Sequence, residues 1–136
     1  MPYFKRKQKS VPNRVIPYEA DEQKAFVQWL EVKKLKFTAI PNSTWTPSGW
    51  QLTENIAMGV RSGLPDLLVI IPAKQSKTKK ACMLFVEMKR IKKYTIKEDQ
   101  KNWINAINTI ENVEARICFG ADEAIGFVSE FLTTRS

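Results

Sequence analysis

Apolar positions recur along the chain in two rhythms, one close to 3.6 residues and one that is alternating or continuous. Between Glu19 and about Leu35, the positions Glu19, Gln23, Phe26 and Leu30 share one face of a predicted helix. Its first turn holds Glu19, Asp21 and Glu22 and lysines gather at the other end, which suits the helix dipole. The stretch "KFTAIP" predicts a short strand, and the Ser-, Thr-, Pro- and Gly-rich residues 42–63 predict loop with a short helix around Glu54 to Met58. Two apolar runs, near Asp66–Ile71 and Ala81–Lys89, predict core strands joined by the lysine-rich residues 74–80. Thr95 and Glu98 have the spacing of a capping box, predicting a helix to about Ile110 whose inner stripe is Ile96, Gln100, Trp103, Ile107 and Ile110. "EARICFG" predicts a further strand and "ADEAIGFVSEFL" a closing amphipathic helix. The order α-β-β-β-α-β-α specifies an α/β fold, a mixed β-sheet flanked by helices. Residues 1–17, basic and carrying Pro2, Pro12 and Pro17, read as an extended arm, with residues 18–136 as one domain.

Three positions break the apolar pattern. Asp66 opens one core strand, and Glu87 and Lys89 lie inside another. Alternation puts Phe85, Glu87 and Lys89 on one face and Leu84, Val86 and Met88 on the other. A buried carboxylate without a partner costs several kcal/mol, so these positions require a cation, a metal or dense hydrogen bonding. A salt bridge from Asp66 or Glu87 to Lys89 would satisfy the strand pattern on its own. Glu19 and Gln100 add to the picture, because each sits on the inward stripe of its helix. Carboxylates, a lysine and an amide aimed at one place from different elements describe a metal site with a catalytic base. Asp66 and Glu87 offer hard oxygen ligands suited to Mg²⁺ or Mn²⁺, and Lys89 can orient or deprotonate water, or hold developing negative charge.

Composition narrows the chemistry. The 136 residues contain no histidine, so catalysis falls to carboxylates, lysine or an oxygen-bound metal. Cys82 and Cys118 lie in predicted core strands and read as buried reduced thiols. No apolar run is long enough to span a membrane, and no signal-peptide core follows the basic N-terminus, so a cytoplasmic location is expected. The net charge is +8, from 22 Lys and Arg against 14 Asp and Glu. Solvated surface charge accounts for such an excess without a partner, but its clustering points to a polyanion, nucleic acid first. Lys5, Arg6, Lys7 and Lys9 in the arm, Lys74, Lys77, Lys79 and Lys80 in the loop, and Arg61 are the candidate nucleic-acid contacts.

The motif "P-D…E-M-K", Pro65–Asp66 with Glu87–Met88–Lys89, resembles the signature of the PD-(D/E)XK nuclease superfamily. Around it, "EADEQ", "PN", "GVRSGLPD", "FVEMK", Gln100 and "GADEAIGFV" fall in the order of the VRR-NUC family, over residues 19 to 132. A chain this small is similar to stand-alone phage and bacterial members, implying the cytoplasm of a bacterial or phage-infected cell. The resemblance implies a restriction-endonuclease-like fold and Mg²⁺- or Mn²⁺-dependent hydrolysis of DNA. It makes Asp66 and Glu87 metal ligands with the Met88 carbonyl, Lys89 the catalytic lysine, Glu19 a further carboxylate at the metal and Gln100 an amide contacting water or phosphate. It leaves open whether Glu19 or Glu22 is the helix ligand. The histidine that members often carry before "PN" is absent, Ile40 standing next to that motif. It further implies a homodimer acting on four-way junctions in recombination and repair, its interface drawing on Trp45 and Trp50 if these are not a satellite cluster under a loop. Flaps, ends or other nucleic acids are alternative substrates, and a non-catalytic nucleic-acid-binding module is the reading from another class.

Overall fold

In the computed structural model, residues 18–41, 48–91 and 94–133 are described. The arm with Lys5, Arg6, Lys7 and Lys9, the position of Trp45, and Lys92 and Lys93 lie outside them. The elements run α1 (Glu19–Val32), β1 (Lys36–Ala39), α2 (Gly49–Ala57), β2 (Leu67–Ile71), β3 (Cys82–Lys89), α3 (Glu98–Ile107), β4 (Val113–Phe119) and α4 (Ala121–Ser129), with one 3₁₀ turn at Ala73–Gln75. The expected order therefore holds, with α2 inserted and beginning at Gly49 rather than near Glu54. Ser48 explains the earlier start: its hydroxyl accepts from the Gln51 amide and caps the helix.

The four strands lie in the order β1-β2-β3-β4. The first three pair antiparallel, whereas β4 runs parallel to β3, with α3 forming the crossover between them. One face of the sheet is the core. Leu67, Val69 and Ile71 of β2, Leu84, Val86 and Met88 of β3 and Cys118 of β4 meet Phe26 and Leu30 of α1 and Ala124, Phe127 and Val128 of α4. Phe26 and Leu30 are 0% exposed, and full burial of each contributes about 1.5–3 kcal/mol. Both cysteines are free and buried, as expected.

The opposite face is only partly covered. Leu68, Ile70, Met83 and Phe85 are half-buried there, and α3 covers the β4 side, where the side-chain amide of Asn108, which follows the helix, donates to the Ala115 carbonyl at 3.0 Å and accepts from the Ala115 amide at 2.7 Å. Among the described residues α2 has no extensive contact with the other elements, and Trp50 and Ile56 on it and Met58 just after it are exposed.

Three details of the expected helices need correction. α3 does not begin at a Thr95–Glu98 capping box: Lys97 is the N-cap residue, and its amide donates to the Gln100 side chain at 3.0 Å. Ile110 is not on the inward stripe, because the helix stops at Ile107 and Ile110 is 55% exposed. α1 also stops short of Leu35, where Lys34 takes a positive φ of 59°.

Candidate active site

β2 begins where β3 ends, so the break in apolar pattern on each strand falls at the same end of the sheet. Leu67 pairs with Val86, which places Asp66 one step on, beside Glu87. Asp66 lies just outside the strand rather than at its first position, and the Met88 amide donates to its Oδ2 at 2.7 Å. Glu87 is 3% exposed and Lys89 8%, the two charged side chains buried on this strand. Lys89 Nζ stands 3.5 Å from Glu87 Oε2. Gln100 Nε2 donates to the same oxygen at 2.9 Å. Alternation thus puts Glu87 and Lys89 on the face away from the core, while the Met88 side chain is 0% exposed within it. Only backbone atoms of Met88 are on offer to a ligand.

Electrostatics at this end are dominated by carboxylates. Burial pushes Glu87 up from 4.5 to about 7, the negative charge of Asp66 adds to this, and Lys89 opposes it. Asp66 is raised too, chiefly by burial, with its hydrogen bond from Met88 working the other way and Glu19 reinforcing the rise. Glu19 raises both groups through its charge while standing exposed at the start of α1. Three helix N-termini approach the same place. α4 starts directly after β4, with the Gly120 amide donating to the Lys89 carbonyl at 3.1 Å. α3 arrives through Gln100, and α1 through Glu19 and Glu22.

Glu22, left as the alternative to Glu19, has other work. Its Oε1 accepts from the Ala121 amide at 2.6 Å, which caps α4 and ties α1 to it. Gly120 takes φ +96° here, and a Cβ on it would come within 3.2 Å of that Glu22 oxygen.

The loop "GVRSGLPD" is clasped to α3. Ser62 Oγ donates to Asp99 Oδ2 at 2.5 Å and Trp103 Nε1 donates to the Ser62 carbonyl at 3.1 Å. Gly63 makes the clasp possible: its φ is +99°, and a Cβ would lie 2.8 Å from the Asp99 backbone. Ser62 and Asp99 were not anticipated; the only hint was a glycine just before Pro65–Asp66. Gly63→Ala is expected to lower stability by about 1–3 kcal/mol through backbone strain and displacement of α3. Urea unfolding checks this, and an unchanged midpoint would show that the loop accommodates the methyl group.

The expected DNA contacts are spread more widely. Arg61 Nη1 donates to the carbonyls of Ile56 and Val60 at 3.0 Å each, so part of its guanidinium closes the C-terminal end of α2. Lys74, Lys77, Lys79 and Lys80 are exposed, but they occupy the β2–β3 connection at the opposite end of the strands. Eight-residue β3 spans about 26 Å, which is the separation of that loop from Lys89 along the sheet. Lys33 shares a cleft with Lys74 at this far end.

Among the described residues, no three Asp, Glu, His or Cys side chains are gathered closely enough to hold an ion by themselves. The donor set still fits a hard divalent cation that keeps part of its water shell: two acids raised by burial, a backbone carbonyl between Glu87 and Lys89, and the buried Lys89 beside them.

Comparison with known proteins bears on the fold and the family. No curated protein matches the chain. A solved structure described as a VRR_NUC domain protein shares the fold, with TM-score 0.64 at 20% sequence identity over 85% of this chain and 88% of that one. The VRR-NUC domain model matches residues 7–122. The chain belongs to the VRR-NUC family and carries a nuclease-type domain.

Proposed function

We infer that the protein is a Mg²⁺- or Mn²⁺-dependent endodeoxyribonuclease, acting as a homodimer on branched DNA with the four-way junction as its preferred substrate. The observation that carries this reading is Glu87, buried beside Asp66 and Lys89 with its pKa raised to about 7. Burying these groups costs stability, and a catalytic centre is a physical reason to retain them.

Asp66, Glu87 and the Met88 carbonyl would hold the cation, with Glu19 reaching it or its waters. When bound, the cation supplies Lewis acidity toward a phosphodiester and acidifies its water. Lys89 is placed by its ion pair with Glu87 to orient the attacking water and to offset negative charge developing at phosphorus. Gln100, anchored through Oε1 to the Lys97 amide, keeps its amino group on Glu87 and fixes the orientation of that carboxylate. Hydrolysis forms one phosphorus–oxygen bond to water and breaks one to a sugar oxygen. The proton released by water passes to a carboxylate or to solvent, since Lys89 as an ion-paired ammonium cannot accept it, and the departing sugar oxygen takes up a proton from solvent.

Support for a dimer comes from surface that one chain leaves uncovered. Trp50 on α2 and Met58 just after it are 70% and 71% exposed, and α2 has no extensive contact with the other described elements, while Leu68, Ile70 and Phe85 are half-buried on the sheet face opposite the core. Two-fold symmetry then matches two sites to the opposed strands of a junction. Light scattering is expected to give about twice the 15.7 kDa chain mass. A panel of labelled duplexes, flaps, forks and junctions is expected to show paired nicks in the junction and slower cutting of linear duplex. A single-chain mass together with equal cleavage of duplex and junction would overturn the dimer and the substrate preference, and no cleavage of any DNA would overturn the activity.

A further inference from the structure

The register of β3 on β4 places Phe119 directly beside Lys89 on the same face of the sheet. Phe119 is half-buried, and the ring of Tyr94 lies over it with centroids 4.7 Å apart and a tilt of 53°. Tyr94 is 51% exposed and Ile91, two residues beyond Lys89, is 48% exposed. With Glu123, these residues line a shallow, open pocket of about 330 Å³, near the lower end of small-ligand pocket volumes, about 300–1,000 Å³. Glu123 is held at the rim by its Oε1, which accepts from the Phe119 amide at 3.0 Å.

Neither the family match nor the catalytic arrangement accounts for this aromatic pair, Tyr94 exposed and Phe119 half-buried, beside Lys89. We propose that Ile91, Tyr94, Phe119 and Glu123 form a nucleobase subsite, in which an unpaired base next to the cleaved phosphate stacks on the aromatic pair. This rests on the nucleic-acid reading of the neighbouring site.

The chemistry of the pocket selects a base over the other parts of a nucleotide. The Glu123 carboxylate at the rim repels a phosphate. Ring faces accept the π-face of any base, and a carboxylate at the edge accepts from exocyclic or ring N–H groups. A sugar offers neither a stacking face nor such an edge. Duplex bases are already stacked and paired, so the subsite favours strands that are unpaired or easily opened beside the cut, as at a branch point.

The test uses the full-length protein in EDTA and single-stranded oligonucleotides carrying one 2-aminopurine, moved along the strand, with anisotropy of an end label reporting binding. The 2-aminopurine fluorescence is expected to be quenched at one or two adjacent positions in the wild type and in Tyr94→Phe. Tyr94→Leu, at an exposed position, is expected to lose the quenching and to bind about five- to hundredfold more weakly. Phe119→Leu is expected to act likewise, with circular dichroism confirming its fold. Binding without quenching at any position, or quenching that survives Tyr94→Leu, overturns the subsite while leaving the nuclease reading intact. No anisotropy change at all removes the nucleic-acid reading and the subsite with it.

Discussion

Lys89→Ala is expected to lower the cleavage rate by about a hundredfold to ten-thousandfold, the range for losing a positioned proton-transfer or charge-stabilising group. DNA affinity is expected to stay near normal, because the substitution removes one of 22 basic side chains. The variant needs a careful folding control. Lys89 is the ion-pair partner of Glu87, and it opposes the rise in the Glu87 pKa. Without it Glu87 takes up a proton more readily, and this neutralisation limits the cost of leaving the carboxyl buried. The variant is therefore expected to fold best below pH 7 and to lose stability as pH rises. Single-turnover cleavage, anisotropy and circular dichroism on one preparation separate these effects. A folded Lys89→Ala protein that cuts at the wild-type rate would make the lysine structural.

Removing divalent cations is expected to abolish cleavage altogether, with Mg²⁺ or Mn²⁺ restoring it and Ca²⁺ supporting little, since its looser shell polarises water less well. A second readout avoids catalysis. The Glu87 pKa of the metal-free protein is about 7 against an ordinary 4.5. Its native form therefore holds a proton that the unfolded chain has already lost between these pH values. The contribution of this group to stability is complete below pH 4.5 and is lost as pH rises through 7. At 1.36 kcal/mol per pH unit, the rise from 4.5 to about 7 amounts to about 3 kcal/mol. Asp66 shifts in the same direction. Thermal melts in EDTA are thus expected to show this destabilisation at pH 8 relative to pH 5, and Mg²⁺ to reverse it at pH 8 but not at pH 5, where the cation must displace protons. Full cleavage in excess EDTA, or melts at pH 8 unmoved by Mg²⁺, would remove the metal from the site.

The parts of the site legible in the sequence were those that violate a strand's own logic. Asp66, Glu87 and Lys89 stood out because β2 and β3 are otherwise apolar, and alternation alone assigned Glu87 and Lys89 to the face away from Met88. Helical spacing put Glu19 on the stripe of Gln23 and Phe26 but left the choice between Glu19 and Glu22 open. What it could not give was the partner of Glu22, because the Ala121 amide is 99 residues away. The start of α3 was misread for a related reason: Thr95 and Glu98 have capping-box spacing, yet Gln100, already turned toward Glu87, supplies the cap from inside the helix. The lysine-rich loop was recognised as basic, and its place just before Ala81 already sets it at the end of β3 away from Lys89, so charge clustering alone overstated its nearness to the site. The Tyr94–Phe119 pair escaped notice since two aromatics 25 positions apart have no local signature.

Gln100 has a consequence for anyone engineering this chain. Its two amide ends are committed in opposite directions, the oxygen to the Lys97 amide and the nitrogen to Glu87. Glutamate at this position would keep the cap but set a third acid against Glu87, while leucine would release both contacts. A silent bait for trapping a bound complex is therefore better made at Lys89 than at Gln100, where the anchoring of a helix and the tuning of a carboxylate are vested in a single side chain.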